Sequence, residues 1–189
     1  MKKLLIINGS PRKKGCDAAV CDEISKMLEG HGYESETVWA YDLGIGGCKA
    51  CMACKSTQRC VQKDCMNDIL DKIKNADALV FATPVYFHAE TGPFKTFIDR
   101  MYPLMKMNPD RTVTSFIGKP KKVSIVVTCG APDGNMTFAN IVTRYINVLK
   151  MYGVTDVSGT VIPSAAPDTV TGSPYFKGYL EELEFQFGN

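Results

Sequence analysis

Leu4-Leu5-Ile6-Ile7-Asn8-Gly9-Ser10-Pro11-Arg12-Lys13-Lys14-Gly15-Cys16-Asp17 decides the fold. Four apolar residues, Leu4 to Ile7, are enough for a strand buried on both faces. Gly9, Ser10 and Pro11 stop it. A helical pattern begins near Cys16: Val20, Ile24, Met27 and Leu28 share one face, and Gly30 and Gly32 close it. Strand, tight loop and helix in this order aim backbone N–H groups and a helix N-terminus at one point, which attracts anions, phosphate above all. Ser10 adds a hydroxyl and Arg12 a guanidinium.

Two familiar phosphate loops are excluded. The Walker pattern G-x4-G-K-[ST] fails, because five residues separate Gly9 from Gly15 and Cys16-Asp17 follow. The dinucleotide fingerprint G-x-G-x-x-G is absent from this stretch. What remains is G-S-P-R-x2-G. It resembles the first loop of the flavodoxin-like NADPH-dependent FMN reductase family, where that loop cradles the phosphate of FMN. The bland alternative is a strand–helix connector with incidental basic residues.

The rest of the chain repeats the alternation. Glu34–Trp39 reads as a second strand, and Met66, Ile69, Leu70 and Ile73 mark a helix ending at Asn75–Asp77. Ala78–Thr83 is a buried strand bounded by Pro84. Phe94, Phe97, Ile98 and Met101 mark a helix starting after Thr91-Gly92, with Pro93 at its favoured first position. Tyr102–Lys122 is long, with no clear pattern, and reads as a functional segment or an interface. Lys121–Thr128 is a fourth strand, Phe138 to Leu149 a helix, and Val154–Ile162 a fifth strand. Ser173-Pro174 begins a helical extension at 173–187, with Phe176, Tyr179, Leu180, Leu183 and Phe187 on one face. Five strands alternating with helices predict an α/β, flavodoxin-like, doubly wound parallel sheet, order 2-1-3-4-5, with helices on both faces. The expectation is one domain over 1–189, complete without the extension.

In such a sheet ligand sits outside the carboxyl ends of the first and third strands. Thr83-Pro84-Val85-Tyr86-Phe87-His88 stands there, and resembles the second flavin loop of the same reductases, [ST]-P-V-Y-[FW]. Gly92–Arg100 resembles their G-x-[LMF]-K-x-F-[IL]-D-R helix, and Thr128-Cys129-Gly130 a third loop. The resemblance covers roughly Met1–Ile162. It implies FMN, with NAD(P)H as electron donor and a flavin, quinone or other small acceptor. The residues it places around FMN are Ser10, Arg12, Cys16, Asp17, Ala18, Pro84, Val85, Tyr86, Phe87, Thr128, Cys129 and Gly130. No side chain is assigned a catalytic role, because the flavin ring carries the redox chemistry. One departure matters. The family often has Asn, then Ser or Thr, after the loop glycine, where this chain has Cys16-Asp17. An ionised Asp would repel phosphate, and an N-cap role is the alternative.

Five of eight cysteines fall between Cys48 and Cys65, in a loop at 44–65. With no signal peptide apparent, they read as reduced thiols of a cytoplasmic protein or as ligands. Cys48-x2-Cys51-x2-Cys54-x5-Cys60 is compact enough to wrap one iron–sulfur cube. The spacing resembles the iron–sulfur flavoproteins, which hold a [4Fe–4S] cluster in this loop and pass electrons between proteins through FMN. Two alternatives stay open. Flavin reductases without a cluster carry a related loop before a K-D-D-M stretch, matched here by Lys63-Asp64-Cys65-Met66. Four thiolates also suit structural zinc, in a non-redox phosphate-binding module.

A net charge of +2 gives no reason to expect nucleic acid or an anionic membrane. No apolar run reaches the length of a membrane span. The Met- and aromatic-containing segment Met101–Ile117 and the C-terminal extension suggest a homo-oligomer, a dimer or larger. His31 and His88 read as structural, and Asp99 with Arg100 as a helix-end ion pair or a subunit contact.

Overall fold

The computed structural model describes residues 1–119 and 121–188. Pro120, within the long patternless segment, and Asn189, at the end of the expected domain, lie outside the described residues. The strands are β1 (Lys2–Asn8), β2 (Tyr33–Trp39), β3 (Ala78–Pro84), β4 (Met105–Met107), β5 (Val113–Ser115), β6 (Lys122–Thr128) and β7 (Asp156–Ile162). The helices are α1 (Cys16–Glu29), α2 (Cys54–Thr57), α3 (Met66–Asn75), α4 (Gly92–Arg100), α5 (Gly134–Thr137), α6 (Ala139–Met151) and α7 (Pro174–Gly188). Five strands form one sheet in the order β2-β1-β3-β6-β7, all parallel. That is the expected 2-1-3-4-5 order.

Alternation along the central strands builds two cores. Leu5, Ile7, Leu79, Phe81, Val123, Ile125 and Val127 face α3, α4 and α6. Leu4, Ile6, Ala78, Val80, Ala82 and Val126 face α1 and α7. β3 is buried at every position, as a central parallel strand must be when helices cover both faces.

Two expectations need correction. The segment after α4 is not patternless: β4 and β5 pair antiparallel as a short hairpin. Of its apolar residues, Met101, Leu104, Met105 and Ile117 are buried in the α3/α4/α6 core, while Met107 is 53% exposed. The fold is also not complete before the C-terminal extension. Phe176, Tyr179, Leu183 and Phe187 of α7 are buried beside α1 and close that face of the sheet. At ~1.5–3 kcal/mol for each large side chain buried, α7 is a main contributor to that core. The apolar stripe of α7 was legible, but its partner was the unpaired half of the α1 face.

Among the described residues, no helix is long and apolar enough to cross a membrane.

Candidate functional site

The loop after β1 turns on its own polar atoms. Ser10 N–H donates to Asn8 Oδ1 at 2.8 Å, and Arg12 N–H donates to Ser10 Oγ at 3.2 Å. These turns leave the Ser10 hydroxyl hydrogen free to donate and carry Arg12 outward, where its side chain is exposed. Gly9 is required by packing: a Cβ there would stand 2.8 Å from Phe94 Cβ. Thr91 Oγ1 donates to Gly9 O at 2.6 Å and accepts from Phe94 N–H at 3.4 Å, capping α4 while tying it to the first loop.

Three strand ends meet above β1, β3 and β6. Ser10, Arg12, Gly15, Cys16, Asp17, Pro84, Val85, Tyr86, Thr128, Cys129, Gly130 and Ala165 line one cleft of about 220 Å³. Hollows of about 480 and 600 Å³ exist elsewhere, lined by a mixture of charged, polar and apolar residues. Position decides here rather than size, since an open parallel sheet places its ligand outside the carboxyl ends of its strands.

Ten of the twelve residues assigned to FMN line this cleft. Ala18 is buried in the core, and Phe87 is fully exposed outside the lining. Gly15 and Ala165 line it too; Ala165 carries no motif, and arrives because its N–H donates to Cys129 O at 2.8 Å. Cys129 contributes backbone rather than thiol, because its Sγ turns inward beside Gly134. A Cβ added at Gly130 would meet no protein atom within 4 Å, so the backbone there is open to a ligand edge. Phe87 and His88 both have positive φ, 47° and 67°, which is strained backbone for such residues.

Asp17 does not cap α1: Gly15 is the N-cap, with no side-chain bond. Its carboxyl is buried, Oδ2 accepts from Thr128 Oγ1 at 3.0 Å, and Oδ1 has no partner. Burial pushes its pKa up to about 7, against the lowering effect of Thr128 and its own N–H. Oδ1 is thus a buried oxygen without a partner in a residue that lines the same cleft as Ser10 and Arg12.

The cysteine segment forms a second, separate hollow. Cys48, Cys51, Cys54 and Cys60 line a small cavity of about 30 Å³ with Asp99, Arg100, Tyr102 and Pro103. Among the described residues, no three Cys, His, Asp or Glu side chains are close enough, as placed, to hold a metal ion. Ala50, Met52 and Gln58 have φ of 52°, 62° and 56°, so the loop is tightly and expensively turned. Asn67 clamps it, accepting from Cys60 N–H at 2.9 Å and donating to Cys60 O at 2.8 Å.

Arg100 anchors the segment. Its side chain is 1% exposed, and it donates to both Asp64 oxygens at 2.8 and 2.9 Å and to Gly46 O at 2.7 Å. Those bonds hold the Asp64 carboxyl below the usual carboxylate range. Asp99 pairs instead with Lys95 at 2.5 Å, so the expected helix-end pair of Asp99 with Arg100 does not form. The two hollows share no lining residue. α4 is tied at its start to the first loop through Thr91 and ends at Arg100, which lines the cysteine hollow, ~13 Å of helix in nine residues. His31 pairs with Glu184 of α7 at 3.0 Å, and His88 lies against Phe138.

Fold and cleft together define a flavodoxin-like protein with its ligand cleft at the switch point of the sheet. The chain matches the sequence profile described as NADPH-dependent FMN reductase over residues 2–164, and it belongs to that family. An iron–sulfur flavoprotein of Archaeoglobus fulgidus is 31% identical over 181 residues, covering 94% of this chain and 87% of the relative. Another from the same organism is 36% identical over 129 residues, 65% of this chain and 59% of that one. Four such relatives match over 59%, 48%, 56% and 53% of their own length, so the chain spans about half of each. The solved NAD(P)H:quinone oxidoreductase of Methanothermobacter marburgensis superposes with a TM-score of 0.74 at 15% identity, covering 100% of this chain and 98% of that one. An azoreductase of Bacillus anthracis gives 0.73 at 16% identity, covering 100% and 99%. At that identity the superpositions establish the fold.

Proposed function

We propose that the chain binds FMN in the cleft at the ends of β1, β3 and β6 and uses it to pass electrons from NAD(P)H to a flavin, quinone or other small acceptor. The observation that carries this reading is the convergence of three separate strand-end loops on one cleft. Ser10, Arg12 and the first turn of α1 serve the phosphate. Pro84, Val85 and Tyr86 offer an apolar and aromatic bed for the ring. The backbone from Thr128 to Gly130 approaches the pyrimidine edge, where negative charge collects on reduction. The flavin supplies the electron chemistry when bound. The chain's part is to bind it, orient it and leave one face open to donor and acceptor.

The test is a titration of flavin-free protein with FMN and with riboflavin, followed by anaerobic addition of NADH or NADPH. Tight FMN binding and bleaching of the flavin's blue band support the reading. A protein that binds neither flavin is not of this kind.

A second reading adds a [4Fe–4S] cluster on Cys48, Cys51, Cys54 and Cys60, and with it electron exchange with a redox protein. Its support is that all four line one hollow, and that the relatives named above are iron–sulfur flavoproteins. Thiolates this exposed lose a cluster in air, so the measurement is anaerobic. Iron and acid-labile sulfide support the cluster, zinc alone supports a structural metal, and neither leaves reduced thiols.

A homo-oligomer fits the exposed apolar side chains Phe87 and Met136 and, on the two segments expected to cover a partner, Met107 and Phe185. Light scattering with FMN bound tests it, and a monomer at micromolar concentration refutes it.

A further inference from the structure

Asp17 stands where the family often has a hydroxyl, and neither of its carboxyl oxygens is bonded to a cation. On its own helix its titratable neighbours are Cys16, Cys21 and Asp22; burial raises both thiols, Cys21 most strongly, so both stay protonated near neutrality. Across from it, β6 presents Thr128, and β1 presents Asn8, whose Nδ2 donates to Cys21 Sγ. Arg12, on the first loop, bears on Cys16. The Asp17 carboxyl is 2% exposed, its Oδ2 is occupied by Thr128, and its Oδ1 is without a partner.

An ionised carboxylate here would oppose a phosphate; a neutral one offers the single donor that the site lacks at this position. Thr128 donates to Oδ2, which leaves Oδ1 to carry the proton. Resting on the FMN reading above, we propose that Asp17 holds FMN as the neutral acid, donating Oδ1–H to a phosphate oxygen, so that binding above neutrality takes up one proton from solvent. The burial that lifts its pKa to about 7 makes the protonated form available at physiological pH without the ligand. Phosphate recognition in this chain is therefore coupled to pH through one residue, which a Ser or Thr at the same place would not do.

The test is the dissociation constant of FMN and of riboflavin between pH 6.5 and 8.5, with flavin-free parent, Asp17→Asn and Asp17→Ser. The serine variant serves if the asparagine one fails to fold. The expected result for the parent is FMN affinity weakening about 15-fold from pH 7 to 8.5, by linkage to one carboxyl of pKa near 7. Riboflavin, without the phosphate, shows no such slope, and neither do the variants with FMN. Calorimetry in two buffers of different ionisation enthalpy reads close to one proton taken up at pH 8.5 by the parent and none by the variants. A pH-independent FMN affinity in the parent overturns the proposal. So does an equal slope with riboflavin, or a slope kept by Asp17→Asn. Failure to bind either flavin even at pH 6.5 is a separate outcome, and overturns the FMN reading with it.

Discussion

Asp17→Asn should make the flavin-free protein more stable above neutrality and leave it nearly unchanged in acid. The Asp17 pKa rises from 3.8 to about 7 on folding because the carboxyl is buried. Between those values the folded chain keeps a proton that the unfolded chain has released. Stability from this group is thus fully present below pH ~4 and is lost as pH climbs through ~7. A tenfold change in proton affinity corresponds to about 1.4 kcal/mol, and the rise from 3.8 to about 7 spans roughly three such steps, so the loss totals about 4 kcal/mol. Asparagine keeps an acceptor for Thr128 and carries no charge, which removes the loss. At about 2–4 °C per kcal/mol for a chain of this size, the variant should melt ~8–16 °C above the parent at pH 8.5, and within a few degrees of it at pH 4.5. Urea or thermal denaturation of both proteins, flavin-free and under reducing conditions, measures this. The difference between the two curves isolates Asp17, since every other titrating group is common to both. Parallel curves from pH 4.5 to 8.5 would refute the reasoning.

Arg12→Ala should weaken FMN by about 1.5–3 kcal/mol, the range for a bond to a charged group, and leave riboflavin unchanged; equal losses for both would show that Arg12 does not serve the phosphate. Asp64→Asn leaves Arg100 buried with its charge uncompensated, which should cost about 3–5 kcal/mol in thermal or urea denaturation, whereas a cost under 1 kcal/mol would mean that Arg100 is not the anchor of the cysteine segment. After anaerobic reconstitution the parent should hold iron and sulfide that Cys54→Ser loses, and equal near-zero values in both would remove the cluster.

The fold was legible because its signals are local. Buried strands such as Ala78–Pro84 announce themselves by continuous apolar residues, and Thr91-Gly92-Pro93 marks a helix start by capping and a favoured proline. The cleft was legible because each of its walls is a loop directly after a strand, so order along the chain fixed position in space. What the sequence hid depends on contacts between distant segments. Ala165 reaches the cleft through one backbone bond to Cys129. Asp64, read as part of a loop motif, is the partner of Arg100, 36 residues away. The neutral character of Asp17 arises from how deeply α1 and β6 enclose it, which no local pattern encodes.

The most direct measurement of the central claim is the visible spectrum of the FMN-loaded protein before and after anaerobic NADPH or NADH. The account predicts one FMN per chain, retained through gel filtration, with its blue band bleached by a nicotinamide donor and restored when a quinone or free flavin is added. A protein that retains no FMN, or whose bound FMN is reduced by dithionite but by neither nicotinamide, would contradict it.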